Sequence, residues 1–225
     1  MFSGAVAEIS NRAVGAGALC AVLGVALAFA TRSDAAAPRY DDAVRCAGKV
    51  VRGVELETRS PEGAVFSKPK RYGASTLPTT YACLVRSGPI VRLDSPPSAR
   101  AGLAALSGRY VAYKRTFEAS EFNEASDVVV TDLKAGAYLR MLAADPGGGY
   151  ADVQRLVVKR NGALAWTAVG VRGPEVTVFK SDPAAPAGQE LDRGPSVDAQ
   201  SLRLAADRRS VSWTHGGSTR SAPLG

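Results

Sequence analysis

Residues suited to nucleophilic catalysis are few, because this chain of 225 residues contains a single histidine, His215. It lies in the segment WTHGGST, shortly before Ser218. A serine or cysteine nucleophile needs a base and a third group that orients the base. A histidine followed by Gly216 and Gly217 is typical of a hairpin turn. We therefore predict that the protein has no catalytic residues and is not an enzyme.

Carboxylates are concentrated in the segment TFEASEFNEASD, which contains Glu118, Glu121, Glu124 and Asp127. Paired carboxylates can hydrolyse glycosides, and closely spaced carboxylates can bind calcium. The spacing does not match the alternating pattern of a calcium-binding loop, and the sequence shows no second acidic cluster. We interpret the segment as a solvated hairpin tip. Phe122, Glu118 and Glu121 are its candidate ligand contacts, since an aromatic residue on a long loop can serve as a contact point.

The sequence motifs of metal and nucleotide sites are missing. The glycine-rich segment DPGGGY has neither the lysine nor the following helix of a phosphate-binding loop. No helical zinc motif or nucleophile elbow follows a strand in the required way. We predict neither a metal nor a cofactor.

Positive charge exceeds negative charge, with a formal net charge of +7. The only tight basic cluster is KPKR, which contributes Lys68, Lys70 and Arg71 as candidate contacts. A basic exported protein can meet anionic polymers or lipid headgroups, although a solvated loop also explains the cluster. Basic residues are not interleaved with stacking aromatic residues, so we predict no nucleic-acid partner.

The first thirty residues have the pattern of a secretory signal peptide. A head carrying Arg12 precedes seventeen uncharged residues that end in Ala28, Phe29 and Ala30, an A-x-A cleavage pattern. Because Glu8 offsets Arg12, an uncleaved membrane anchor is the alternative. Either interpretation places the remainder outside the cytoplasm, secreted or in the cell envelope. Residues 31–43 form a flexible linker in this prediction, and residues 44–225 form the folded domain.

Cysteine usage agrees with export. Beyond the apolar segment only Cys46 and Cys83 remain. An even pair in an oxidising compartment predicts a disulfide. A zinc site would need more ligands than this pair supplies.

The elements that position these residues are predicted to be strands. Short alternating or β-branched runs recur between Gly, Pro, Asn and Asp, whereas a helix is conceivable only near SARAGLAALSG. An aromatic residue ends an alternating run four times, at Phe66, Tyr113, Trp166 and Trp213. The separations are 47, 53 and 47 residues, the size of a four-stranded propeller blade. We expect these aromatic residues to be core residues, with sugar stacking as the alternative for the tryptophans.

Each aromatic run begins after a turn signal such as Ser-Gly, Asn-Gly or Asp-Arg-Arg, and a second strand follows it. The segments LSGRYVAYKR and VVKRNGALAWTA, with the strands that follow them, resemble the blades of TolB-like and WD40-like β-propeller repeats. They also resemble exported proteins from bacteria with Ala- and Arg-rich proteomes. The resemblance covers residues 44–224 and implies a binding or scaffolding role, but no functional residue can be carried over.

The sequence thus predicts an all-β domain of about four propeller-like repeats of antiparallel sheet, open or irregular in arrangement, with a sandwich or barrel as alternatives. We further expect the C-terminal strand to pair with residues 49–57 and so join the ends of the domain. The predicted function is noncatalytic binding or scaffolding, with loops contacting an extracellular or cell-wall polymer or protein. The alternatives are a carbohydrate-active or other hydrolytic enzyme and a structural envelope protein. A membrane is a partner only if the N-terminal segment is an uncleaved anchor.

Overall fold

A computed structural model describes residues 40–94, 98–120, 123–147, 149–170 and 173–225. The predicted signal peptide, residues 1–30, and most of the predicted linker lie outside these ranges. Within these ranges the chain contains no helix, so it contains no helix that is long and apolar enough to cross a bilayer.

Within these ranges sixteen strands form four antiparallel sheets. The first sheet contains β1 (Asp42–Cys46), β2 (Lys49–Arg59), β3 (Gly63–Tyr72), β4 (Ser75–Leu84) and β5 (Val91–Arg92). The second contains β6 (Ala99–Ser107), β7 (Tyr110–Ser120), β8 (Asn123–Asp132) and β9 (Ala137–Ala143). The third contains β10 (Ala151–Val158), β11 (Leu164–Gly170), β12 (Val176–Asp182) and β13 (Ala185–Gly194). The fourth contains β14 (Arg203–Leu204), β15 (Ser210–His215) and β16 (Ser218–Pro223).

Strands that are consecutive in sequence are neighbours in each sheet, and none of the four sheets closes into a barrel. The protein is therefore an all-β chain of repeated antiparallel sheets, consistent with an open propeller-like fold. The prediction of about four such units is confirmed.

Apolar side chains on both faces of the central strands hold neighbouring sheets together. Along β7, Val111 and Tyr113 pack in a cluster with the first sheet, whereas Tyr110 and Ala112 pack in a cluster with the third. This alternation is the two-residue period of a strand. A further cluster joins the third and fourth sheets. No apolar cluster of the described residues joins the first sheet to the fourth.

The four aromatic residues singled out in the sequence each lie on the second long strand of their repeat, namely β3, β7, β11 and β15. All are buried, with exposed fractions of 1% for Phe66, 6% for Tyr113, 0% for Trp166 and 3% for Trp213. The expectation that they are core residues is therefore correct, since a side chain excluded from solvent cannot serve as a surface platform for sugar stacking.

The segment Ala99–Ser107 is strand β6, so the suggestion of a helix near SARAGLAALSG is wrong. Its alanines and leucines favour a helix in isolation. In the protein β6 pairs with β7 from Ala99↔Phe117 to Ser107↔Tyr110. Ala104 and Leu106 pack against the cluster between the first and second sheets, while Ala105 packs against the cluster with the third. Burial against two sheets thus overrides local propensity.

The expected pairing of the C-terminal strand with residues 49–57 is also wrong. Strand β2 lies between β1 and β3, and β16 pairs with β15. The reason is that β1 occupies the edge of β2 that closure would need, from Cys46↔Lys49 to Asp42↔Val54. The fourth sheet therefore keeps three strands.

The predicted disulfide between Cys46 and Cys83 is present, with a Cα–Cα distance of 5.5 Å. It attaches the end of β1 to β4. Backbone hydrogen bonds from Ala47 N to Leu84 O and from Gly48 N to Val85 O, both 2.8 Å, lie beside it. The two cysteines are 37 residues apart in sequence. Closing a loop of this length stabilises the fold by about 4 kcal/mol in the chain-entropy model.

Trp166 is the residue whose removal should damage the core most. Its ring stacks on Phe179 with centroids 5.3 Å apart, and its Nε1 donates to Ala144 O at 2.9 Å. Trp166→Ala should lower the free energy of unfolding by about 3–5 kcal/mol, as measured by urea denaturation. Tyr138→Ala, at a tyrosine that is 74% exposed, is the matched control and should change stability little. Wild-type stability of the Trp166→Ala variant would contradict this role.

Candidate functional site

The turns that precede β3, β7, β11 and β15 meet along one concave surface. They are residues 60–62, 108–109, 159–163 and 205–209. Two adjoining clefts of about 610 and 470 Å³ share Pro61, Glu62, Gly108 and Arg160 in their walls. Arg208 of the fourth repeat lines the second cleft together with Pro61 of the first. One surface is therefore built from all four repeats.

Three of these turns contain local hydrogen bonds from the backbone to their own side chains. Ser60 Oγ accepts from the backbone N–H groups of Glu62 and Gly63, both at 3.2 Å. Asn161 Oδ1 accepts from Ala163 N at 3.1 Å, and Asp207 Oδ1 accepts from Arg209 N at 2.8 Å. Such local bonds are the reason that Ser, Asn and Asp favour turns. A turn precedes the aromatic strand of each repeat, as the sequence predicts.

Glycine is favoured at Gly108 by its backbone conformation. Its φ is +60°, in the left-handed region that side chains disfavour. In addition, a Cβ there would lie 3.3 Å from Cγ of Arg160. The Arg160 side chain therefore passes closely over the turn of the neighbouring sheet.

Cations dominate the lining of the two clefts, which we call the basic cleft. Its charged members are Arg86, Arg109, Lys159, Arg160 and Arg208, together with Glu62. Arg160 pairs with Glu62 yet its side chain is 71% exposed. The hydrogen bond with Ser60, followed by the charge of Arg160, lowers the pKa of Glu62. A single carboxylate thus faces five cations.

Besides Arg160, two more of the five cations have partners. The Arg109 Nε lies 3.2 Å from an Asp132 oxygen, and its Nη2 donates to the Tyr110 hydroxyl at 2.8 Å. The bond to Tyr110, with the charge of Asp132, raises the pKa of Arg109. Lys159 Nζ donates to the backbone carbonyl of Leu224. These contacts fix the direction of both side chains.

Arg86 and Arg208 differ from the other cations of the basic cleft. Both side chains are exposed, and neither forms an ion pair with another described residue. Arg208 also has a φ of +55°, in the left-handed region. Their guanidinium groups are thus free to bind an anionic group. Arg is well suited to this because its fork of N–H donors matches carboxylate, sulfate and phosphate oxygens.

His215 belongs to a structural network instead of a nucleophile pair. Its Nδ1 donates to Asp192 Oδ2 at 2.9 Å. Trp213 Nε1 donates to the same oxygen at 2.6 Å, and Arg220 donates to Asp192 Oδ1 at 2.8 Å. Ser218 is the cross-strand partner of His215, but no hydrogen bond joins the two side chains in the described chain. The network connects β13 of the third sheet to β15 and β16 of the fourth.

Four of the six predicted contact residues lie in the described part of the chain, on two different hairpins. Lys68, Lys70 and Arg71 lie on the exposed outer half of the β3–β4 hairpin, where Lys70 Nζ is 5.6 Å from the centre of the Tyr72 ring. Glu118 is exposed on β7 and faces Glu124 across the β7–β8 ladder.

Two further predicted contacts, Glu121 and Phe122, lie outside the described residues. Asp127 is half-way along the β7–β8 ladder, where it accepts from Arg115. Among the described residues there is no group of three or more potential metal ligands.

The basic cleft was not identified from the sequence. Its cations come from four separate segments of the chain, of which only Lys159 and Arg160 are adjacent, and the repeat register brings these segments together. The sequence feature that could have indicated the cleft is a cation in three of the four turns before the aromatic strands, in SGRY, VKRNG and DRRS.

Asp192 should make the stability of the domain sensitive to acid. Burial opposes its charge, but bonds from Trp213 and His215 and the charges of His215 and Arg220 outweigh burial and lower the pKa of Asp192. An acid with a lowered pKa stabilises the fold above its unfolded-state pKa of about 3.9, and that contribution is lost as the pH falls through the lower folded-state value.

Asp192→Asn should therefore lower the free energy of unfolding by about 2–4 kcal/mol at pH 7, and the difference from wild type should shrink below about pH 4. Urea denaturation at both pH values measures this. Glu175→Gln, at an exposed carboxylate, is the control and should leave stability nearly unchanged. A difference that does not depend on pH would contradict the electrostatic role of Asp192.

No protein-family model matches this sequence, and no curated protein has significant similarity to it. The resemblance to TolB-like and WD40-like repeats therefore rests on the repeat pattern alone.

Proposed function

We propose that this protein is an extracytoplasmic, noncatalytic binding domain that holds an anionic polymer in the basic cleft. The observation that carries the proposal is the convergence of five cations from successive repeats on one concave surface with a single carboxylate. Arg86 and Arg208 are the principal contacts, because neither is already neutralised by a described carboxylate.

Charge supports an anionic ligand. Like charges gathered in a cleft raise the local concentration of counter-ions and steer anionic partners toward it. Arg160 contributes although it is paired, since most of its side chain stays exposed. Guanidinium groups bind carboxylate, sulfate and phosphate oxygens with two parallel hydrogen bonds.

Shape supports a polymer over a single small anion. The two adjoining clefts extend across the turns of all four repeats. A chain of repeating anionic groups can therefore contact several cations at once. Local hydrogen bonds in three of the turns reduce the backbone ordering needed on binding.

The disulfide supports the extracytoplasmic location. Bonds of this kind persist in oxidising compartments and are rare in the cytosol. The N-terminal pattern of residues 1–30 points the same way. Anionic polymers of the cell surface or cell wall are then the ligands that such a domain meets.

The β3–β4 hairpin provides a second basic surface. Lys68 and Lys70 lie two residues apart on β3 and therefore on the same face of the strand, and both are exposed. We assign this hairpin an accessory role, because its cations stand on an exposed ribbon and not in a cavity.

Binding of dextran sulfate tests the proposal, with uncharged dextran of the same length as the ligand control. Wild type should bind the sulfated chain, and NaCl should weaken binding strongly. The double variant Arg86→Ala with Arg208→Ala should lower the affinity by about tenfold or more, as each arginine loses charge-assisted hydrogen bonds. Isothermal titration calorimetry measures the affinity.

The matched control is Lys68→Ala with Lys70→Ala, which removes the same amount of charge from the hairpin. It should lower the affinity much less than the cleft variant. Equal losses in the two double variants would show that net charge alone governs binding. A loss confined to the hairpin variant would move the site to β3–β4, and wild-type binding by the cleft variant would refute the proposed site.

A further inference from the structure

A third cleft adjoins the basic cleft, and we propose that it binds further anionic groups of the same polymer through Arg45 and Arg59. This inference rests on the proposed function and extends it, because it makes the ligand a polyanion long enough to reach from the turns of the repeats to β1. The third cleft, which we call the side cleft, has a volume of about 440 Å³. Its walls are β1, the end of β2 with the turn that follows it, and Val85.

The side cleft is continuous with the basic cleft. Pro61 lines the side cleft and both parts of the basic cleft. Val85 lines the side cleft, and the next residue, Arg86, lines the basic cleft. A linear ligand bound in the basic cleft therefore enters the side cleft at Pro61, where it meets two further arginines.

Backbone hydrogen bonds at Val85 hold the two walls of the side cleft in place. Val85 N donates to Glu62 O in the turn between β2 and β3, and Gly48 N in the turn after β1 donates to Val85 O, both at 2.8 Å. The disulfide between Cys46 and Cys83 also fastens β1 to β4. The side cleft is thus formed by the fold itself, as ligand sites in proteins usually are.

Both arginines of the side cleft are accessible and unpaired. Arg45 and Arg59 are exposed, and neither side chain forms a hydrogen bond or an ion pair with another described residue. Among the described residues that line the side cleft, none is acidic. Two guanidinium groups without a counter-ion on a concave surface favour an anionic ligand, whose sulfate, phosphate or carboxylate oxygens match their N–H donors.

The side cleft lengthens the row of cations. Arg45 and Arg59 add to the five cations of the basic cleft, and Glu62, which pairs with Arg160, is the single carboxylate among the described lining residues. A ligand that spans two joined sites makes its second contact as an intramolecular event, which raises the total affinity. Polyanions that fill both clefts should therefore bind more tightly than those that fill the basic cleft alone.

Calorimetry on the full-length protein with size-fractionated dextran sulfate, from the disaccharide upward, tests the proposal. The double variant Arg45→Ala with Arg59→Ala should bind short oligomers, which fill only the basic cleft, with wild-type affinity. It should lose about tenfold in affinity for long oligomers, because two charge-assisted contacts are removed. Neither side chain has a described partner, so the variant should fold, which circular dichroism checks.

The matched control is Lys49→Ala with Arg52→Ala. It removes the same charge from exposed positions of β2 that do not line the side cleft. The control should lower the affinity slightly and by the same factor at every oligomer length, since it changes only the net charge.

Amide shifts in the wild-type protein locate the contact independently of any variant. Long oligomers should shift the amides of Arg45 and Arg59 as well as those of the four turns, whereas short oligomers should shift mainly the turns. Unshifted amides at Arg45 and Arg59 with long oligomers would overturn the inference, and so would an affinity loss in their double variant that is no larger than in the control or is equal at all lengths. The proposed function survives these outcomes if the double variant of Arg86 and Arg208 still loses affinity. If wild type binds no sulfated oligomer, both proposals fail.

Discussion

Burial of both faces of the central strands is the constraint on which this structure depends. A strand packed between two sheets is mainly apolar on both faces, with large and small side chains arranged so that adjacent sheets fit together. In β11, Leu164 and Trp166 pack toward the second sheet, and Ala165, with Ala163 just before the strand, packs toward the fourth. Apolar side chains on the two faces of β7 link the first three sheets in the same way.

This packing determines where polar chemistry can occur. Since apolar side chains occupy much of both faces of the central strands, charged residues within these strands are paired, as Arg115 is with Asp127, and unpaired cations such as Arg86 and Arg208 lie outside the strands. The turns that enter β3, β7, β11 and β15 lie near one another because those strands are the packed ones. The basic cleft is therefore a consequence of the sheet packing.

Features with a local cause were predictable from the sequence. Alternation and turn residues indicated most strands, and the aromatic register indicated the repeats. The lone cysteine pair indicated the disulfide. Local propensity failed at β6, because an alanine- and leucine-rich segment becomes a strand only when two sheets bury it.

Pairings and sites that depend on several repeats were not predictable. The position of β1 at the edge of β2 is set by the turn at Ala47 and Gly48 and its contacts with β4, which no periodicity reveals. Arg86, Arg109 and Arg208 are far apart in sequence. Only the three-dimensional repeat register brings them together.

The central claim is that the basic cleft holds an anionic polymer, and an NMR titration tests it most directly. Isotope-labelled protein would be titrated with a dextran sulfate oligomer while backbone amide shifts are followed. The account predicts that the largest shifts occur in the turns around Glu62, Arg109, Arg160 and Arg208 and that NaCl reverses them. Shifts confined to the β3–β4 hairpin, with all four turns unchanged, would contradict it.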